Sequence, residues 1–118
     1  MSTNSTIIVE ADGKVKSIYC HWDGHIDSVG ITLRDHFGTQ ELAEAVVALG
    51  DCSTIAGAVD IDNIEAYHRD KNENWADVKP RVYPTVDAAI TDAETPYTYA
   101  FVDGKWRVWG YDEDNLEL

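Results

Sequence analysis

The sequence predicts an α+β domain: an antiparallel sheet made from two terminal hairpins and a central strand, covered on one face by two to three helices. Three observations point there. An Asp-Gly pair sits between alternating apolar stretches near each end of the chain, at Asp12-Gly13 and Asp103-Gly104. Apolar residues recur at helical spacing between residues 26 and 49 and again after Pro84. Strand hairpins at both ends with helices between them favour helices segregated to one side of an antiparallel sheet. At 118 residues the chain is expected to form a single domain, 1–118, large enough to bury an ordinary core, with residues 112–118 as an acidic, mobile tail.

Residues Thr6 to Ala11 and Lys14 to Trp22 flank the Asp12-Gly13 pair as two strand-like runs. Asp-Gly between two such runs is a strong hairpin signal, because a type I′ turn needs positive φ at both central residues. A two-residue loop pairs Ala11 with Lys14, Val9 with Lys16 and Ile7 with Ile18. One face then carries Ile7, Val9, Ile18, Cys20 and Trp22, the expected core side. The other carries Ile8, Val15, Tyr19 and His21. Next, Asp27 or Ser28 caps a helix with Ile26, Val29, Leu33 and Phe37 inward, closed by Gly38. Thr39 caps a second helix with Leu42, Ala45, Val46 and Leu49 inward, Glu41 in its first turn and Gly50 at its end. Val59 to His68 alternate loosely and predict a strand. Arg69 to Pro84 are mostly polar and predict a long loop, a kind of segment that often carries function. Thr85 opens a third helix with Val86, Ala89 and Ile90 inward. The closing hairpin, Tyr97 to Tyr111, pairs Phe101 with Trp106 and Tyr99 with Val108 on its inner face. Thr98, Ala100, Arg107 and Trp109 fall on the outer one.

Nine Lys and Arg face twenty-two Asp and Glu, a formal net charge of −13. That balance disfavours direct nucleic-acid binding, which depends on neutralising phosphates. It is compatible with a solubilising surface, with a surface that imitates a nucleic acid and docks into a basic cleft, or with a high-salt environment. The second half is the more acidic, with eight acids in residues 1–58 and fourteen in 59–118. No apolar run reaches the roughly 18 residues that span a bilayer, and the first six residues are polar. The expected location is therefore the cytoplasm, with no membrane partner.

Residues Tyr19-Cys20-His21-Trp22-Asp23-Gly24-His25 are the richest stretch chemically. His21, Asp23 and His25 would share a face on a continuing strand and present a metal-binding triad. Asp23-Gly24 is itself a turn signal, so no metal is expected. Cys20 and Cys52 have no C-x-x-C spacing and read as buried free thiols. Cys20 and His21 point to opposite faces, and Cys52 follows a helix end whose dipole opposes a thiolate, so neither makes a nucleophile with His21, His25 or His36. Arg69 is one of few cations here and demands a carboxylate. A pair with Asp23 or Asp35 would tie the central loop to the strand–helix junction.

The blocks Tyr19-Cys20-His21-Trp22-Asp23-Gly24, Gly30 with Leu33, and Asp35-His36-Phe37 resemble small proteins carried by bacteriophages and prophages. Leu49-Gly50-Asp51-Cys52-Ser53, Tyr67-His68-Arg69-Asp70-Lys71-Asn72-Glu73, and Tyr97-Thr98-Tyr99-Ala100-Phe101 with Trp106 match further blocks in the same order. In that family the position of His25 is more often aromatic and the segment after Ser53 is often longer. The resemblance implies a viral or mobile-element origin and no particular chemistry.

The leading expectation is a non-enzymatic phage accessory protein that acts by binding. In its concrete form it is a counter-defence inhibitor presenting an acidic, nucleic-acid-mimicking surface, with Asp60, Asp62, Glu65, Asp112, Glu113 and Asp114, to a host protein with a basic surface. One alternative is a domain that sequesters a nucleotide-like signal. His21, His68 and Arg69 would hold its anionic group beside Asp23, and Tyr19 or Trp22 would stack on its base. A small hydrolase with His21 and His68 as acid and base is the other. No cofactor, metal or catalytic set is expected.

Overall fold

The computed structural model describes residues 3–110 and 113–118. Strands β1 (Ser5–Ala11) and β2 (Lys14–Cys20) form the first hairpin, in the register set by the Asp-Gly turn: Ala11 opposite Lys14, Val9 opposite Lys16, Ile7 opposite Ile18. Asp12 and Gly13 have φ of 52° and 74°, as a type I′ turn requires. A π-helical turn (Ile26–Gly30) runs straight into α1 (Ile31–His36), burying Val29, Leu33 and Phe37. The Thr39 hydroxyl accepts the Leu42 N–H at 3.2 Å and starts α2 (Gln40–Ala48). Gly50, at φ 79°, lets the chain leave that helix toward β3 (Cys52–Thr54).

A 3₁₀ turn (Ile61–Asn63) leads to β4 (Glu65–Ala66), followed by two short helices, α3 (Tyr67–Lys71) and α4 (Trp75–Val78), and by β5 (Arg81–Tyr83). The Thr85 hydroxyl caps α5 (Val86–Asp92) through the Ala88 N–H. Strands β6 (Tyr97–Val102) and β7 (Lys105–Trp109) form the second hairpin with Phe101 opposite Trp106 and Tyr99 opposite Val108. The strand β8 (Leu116–Glu117) then pairs with β7, so the acidic segment ends in the sheet.

The class is α+β, but the sheet is mixed. Its eight strands run β4-β3-β2-β1-β6-β7-β8, with β5 also on β2. Both hairpins are antiparallel, whereas β1–β6 and β2–β3 are parallel. The parallel β1–β6 junction joins the two hairpins at the centre, a non-local pairing that no turn motif encodes. The helical cover is also two-sided. On one face Ile7, Val9, Ile18, Cys20, Tyr99, Phe101, Trp106 and Val108 pack with Val29, Leu33, Phe37, Val46 and Val47 from the α1 and α2 side. On the other, Ile8, Val15 and Ala100 lie under Val86, Ala89 and Ile90 of α5. Each fully buried Ile, Val, Leu or Phe contributes roughly 1.5–3 kcal/mol.

Three further corrections concern single elements. Val59–His68 is not one strand but a loop, a 3₁₀ turn and the two-residue β4, and the predicted loop after Arg69 contains α4 and β5. α2 buries Ala43, Val46 and Val47 and leaves Leu42 at its surface. Leu42, Ala43, Ala45, Val46, Val47 and Ala48 give that helix more than one apolar stripe, and contact with β1 and β2 chooses between them. Trp22, expected inward, is 46% exposed. Pairing of β2 with β1 ends at Cys20, and Asp23 turns the chain at φ 56° one residue after Trp22, so the indole lies beyond the paired part of the hairpin.

Candidate functional site

Tyr19 and His21 alternate with Cys20 and so leave β2 on the α5 side of the sheet while Cys20 enters the core. The Tyr19 hydroxyl and His21 Nδ1 lie 2.7 Å apart, and Asn4 donates its amide to the His21 carbonyl at 2.8 Å. The Trp22 indole stands edge-on to the His21 ring with centroids 4.7 Å apart. Asp23-Gly24 is the turn its sequence signals. Gly24 donates to the Thr3 carbonyl at 2.8 Å and accepts the buried Tyr99 hydroxyl at 2.7 Å. His25 bonds through Nε2 to the Thr3 hydroxyl at 2.9 Å. His21 and His25 are thus held by different partners. Among the described residues, no three His, Cys, Asp or Glu side chains come together as a metal site.

The residue that organises this region is Asp51, which the sequence reading did not single out. Along the outer edge of β2, β5 pairs at Val15–Ser17 and β3 pairs at Cys20, leaving a gap at Tyr19. The Asp51 carboxylate closes it by accepting the Tyr19 backbone N–H at 2.9 Å. Arg81, the first residue of β5, grips the same carboxylate with both terminal nitrogens, at 2.6 and 3.0 Å. The Asp51 backbone bonds Val78 and Tyr67, so α3, α4, β3 and β5 all converge on it. The rule applied to Arg69, that a cation in so acidic a chain has a carboxylate partner, was equally available for Arg81.

Tyr19, Asp51 and Arg81 form one wall of a groove of about 520 Å³. Thr6 and Ser17 floor it, and Tyr83, Asp92, Glu94 and Thr95 face it from the other side. The Tyr83 hydroxyl donates to the Asp92 carboxylate, an interaction that raises its pKa. Thr6 and Thr95 join their hydroxyls at 2.7 Å across one end. Burial is the main cause that raises the pKa of Tyr19, so its hydroxyl stays protonated at neutral pH.

The other predicted site residues lie elsewhere or are already occupied. Arg69 pairs with the adjacent Asp70, through Nε at 3.0 Å and Nη2 at 2.9 Å, not with Asp23 or Asp35. It also donates to the Ile61 carbonyl at 3.1 Å and to that of Ile64, tying α3 to the 3₁₀ turn. Four of its donor contacts are thereby spent on the protein itself. His68 bonds the Glu73 carbonyl at 2.8 Å and packs by Trp75 with ring centroids 5.1 Å apart, so it belongs to the α3–α4 connection. Cys20 and Cys52 sit directly opposite each other in β2 and β3, both fully buried and not joined by a disulfide. Burial pushes the Cys20 thiol up to about 11 and raises that of Cys52 as well.

The acids expected to form one partner surface are split. Asp60, Asp62 and Glu65 belong to the β4 edge, whereas Glu113 and Asp114 precede β8 at the opposite edge. Asp112 lies outside the described residues. The Asp60 carboxylate caps the 3₁₀ turn through the Asn63 N–H at 3.1 Å, and Glu65 pairs with Lys71 at 3.1 Å. Among the described residues, no helix is long and apolar enough to cross a membrane. Compared with protein-family models, curated proteins and solved structures, the chain matches none.

Proposed function

We propose that this is a non-catalytic binding protein of phage or mobile-element origin, acting in the host cytoplasm as a counter-defence inhibitor on a basic protein. The observation that supports the reading is how the cations are used. Arg34, Arg69, Lys71, Arg81, Lys105 and Arg107 are each held by a carboxylate of the same chain. Exposed acids such as Asp27, Glu41, Asp62, Glu73, Asp77 and Asp87 have no ion-pair partner among the described residues. The surface thus offers unpaired negative charge, which steers association with a positive patch. The β4 edge, where Asp60, Asp62 and Glu65 adjoin the α3–α4 connection with Glu73 and Asp77, is the contact face in this reading.

The test is affinity capture of defence nucleases and other basic proteins from a host extract on the immobilised full chain. Retention at about 50 mM salt and release at about 500 mM is expected, since the Debye length shrinks several-fold over that range. The captured protein should lose activity on adding the wild type, and keep more of it with Asp62→Asn, Glu73→Gln, Asp77→Asn. Failure to retain any basic protein at low salt, or equal inhibition by the neutralised variant, defeats the proposal.

A further inference from the structure

The groove between β2, β5 and α5 carries a separate inference, independent of any macromolecular partner. We propose that it binds a small organic amine, an alkylammonium group on a flexible polar chain such as a polyamine. Its charge favours a cation: Asp51 and Arg81 neutralise one another, and Asp92 and Glu94 remain as two carboxylates on the α5 side. An anionic ligand would meet that pair with no free cation in the lining to offset it.

The floor supplies a second observation. Ser17 is 4% exposed and alternates with core residue Ile18, so its hydroxyl is directed to the groove side. That hydroxyl makes no hydrogen bond with any described residue and opens to the groove, where it is free to accept one. A ligand N–H seated between Ser17 and the Asp92–Glu94 side would satisfy it. The Tyr83 hydroxyl, by donating to Asp92, fixes one carboxylate oxygen and leaves the other available as acceptor. A volume of about 520 Å³ is within the range of small-molecule sites.

The experiment is calorimetric titration of the full chain with spermidine at about 150 mM salt, a strength that screens diffuse surface attraction. One saturable site is expected. It should weaken about tenfold in Asp92→Asn, Glu94→Gln, as charge-assisted hydrogen bonds are lost, and weaken less in Ser17→Ala. Glu41→Gln, Glu44→Gln removes the same charge from α2, on the other face of the sheet, and should leave the affinity unchanged. Glu41, Asp92 and Glu94 are exposed and Glu44 is half-buried, so both double variants should keep the wild-type circular dichroism. Non-saturating heats, or equal weakening in the two double variants, would show a general attraction to an acidic protein and overturn the site. Heat from adenosine monophosphate with none from spermidine would overturn the ligand class.

Discussion

At the scale of single residues, the chemically rich stretch from Tyr19 to His25 is largely architecture. A Cβ on Gly24 would stand 2.8 Å from the carbonyl oxygens of Thr3 and Asn4, both backbone atoms that cannot step aside. Gly24→Ala should therefore cost about 2–3 kcal/mol, within the range of overpacking in a buried site, read as a lowered urea midpoint. An unchanged midpoint would show that the N-terminal segment is not pinned there. Asp51 makes a sharper case. Its replacement by Asn keeps the size but loses the charge that Arg81 grips and one acceptor oxygen. A loss of about 1–3 kcal/mol is expected, the upper part of the range for buried pairs being discounted because Arg81 is half exposed. Arg81→Met should cost less, since Asp51 would keep the Tyr19 N–H. The reverse order in urea melts would count against Asp51 as the organising residue.

At the scale of elements, legibility follows locality. Both hairpin registers were readable because Asp-Gly turns fix them within two residues, and the Thr39 and Thr85 caps announced α2 and α5. Thr39→Ala and Thr85→Ala should each destabilise by about 1 kcal/mol; no change in the thermal midpoint would mean the hydroxyl bonds are not formed in solution. β3 and β5 escaped because three residues cannot display an alternation, and β4 is only two residues of the longer strand expected over Val59–His68; their strand character comes from neighbours far away in sequence. Phase within α2 was ambiguous for a different reason: Leu42, Ala43, Ala45, Val46 and Val47 offer two adjacent apolar stripes, and only packing selects one. Trp22 followed the strand parity on paper, but parity ends where pairing ends. The groove was invisible in sequence because its walls come from residues between Asn4 and Thr95.

At the scale of the whole molecule, net charge and buried hydroxyls and thiols set the response to solvent. With −13 on 118 residues, self-repulsion strains the folded state, and salt should relieve it. The melting temperature should rise by a few degrees between about 20 and 500 mM sodium chloride; a fall would mean that the internal ion pairs outweigh the repulsion. Alkali acts in the opposite direction. Cys20, raised from 9.0 to about 11 by burial, and Tyr99, raised mainly by burial too, are neutral in the fold but ionise earlier in the unfolded chain. Their stabilising contribution is complete below pH 9 for the thiol and 10 for the phenol, and is lost as pH climbs through the folded values. Stability to urea should fall between pH 9 and 11, with tyrosinate absorbance appearing cooperatively with unfolding. Ionisation of all six tyrosines in a still-folded protein would contradict the burial of Tyr99.

The parallel junction of β1 with β6 has a consequence for how the chain is made. Ser5 pairs with Tyr97 and Val9 with Phe101, so the central seam of the sheet joins segments separated by almost the whole intervening sequence. During synthesis, the first hairpin emerges with one long edge unsatisfied and with Ile7 and Val9 uncovered. It must wait for residues 97–101 before that edge closes. Loop closure over such a distance is slow relative to local helix formation. Until then the nascent hairpin keeps an unpaired edge open to wrong pairing, and native structure should arrive late, in one step, on completion of β6.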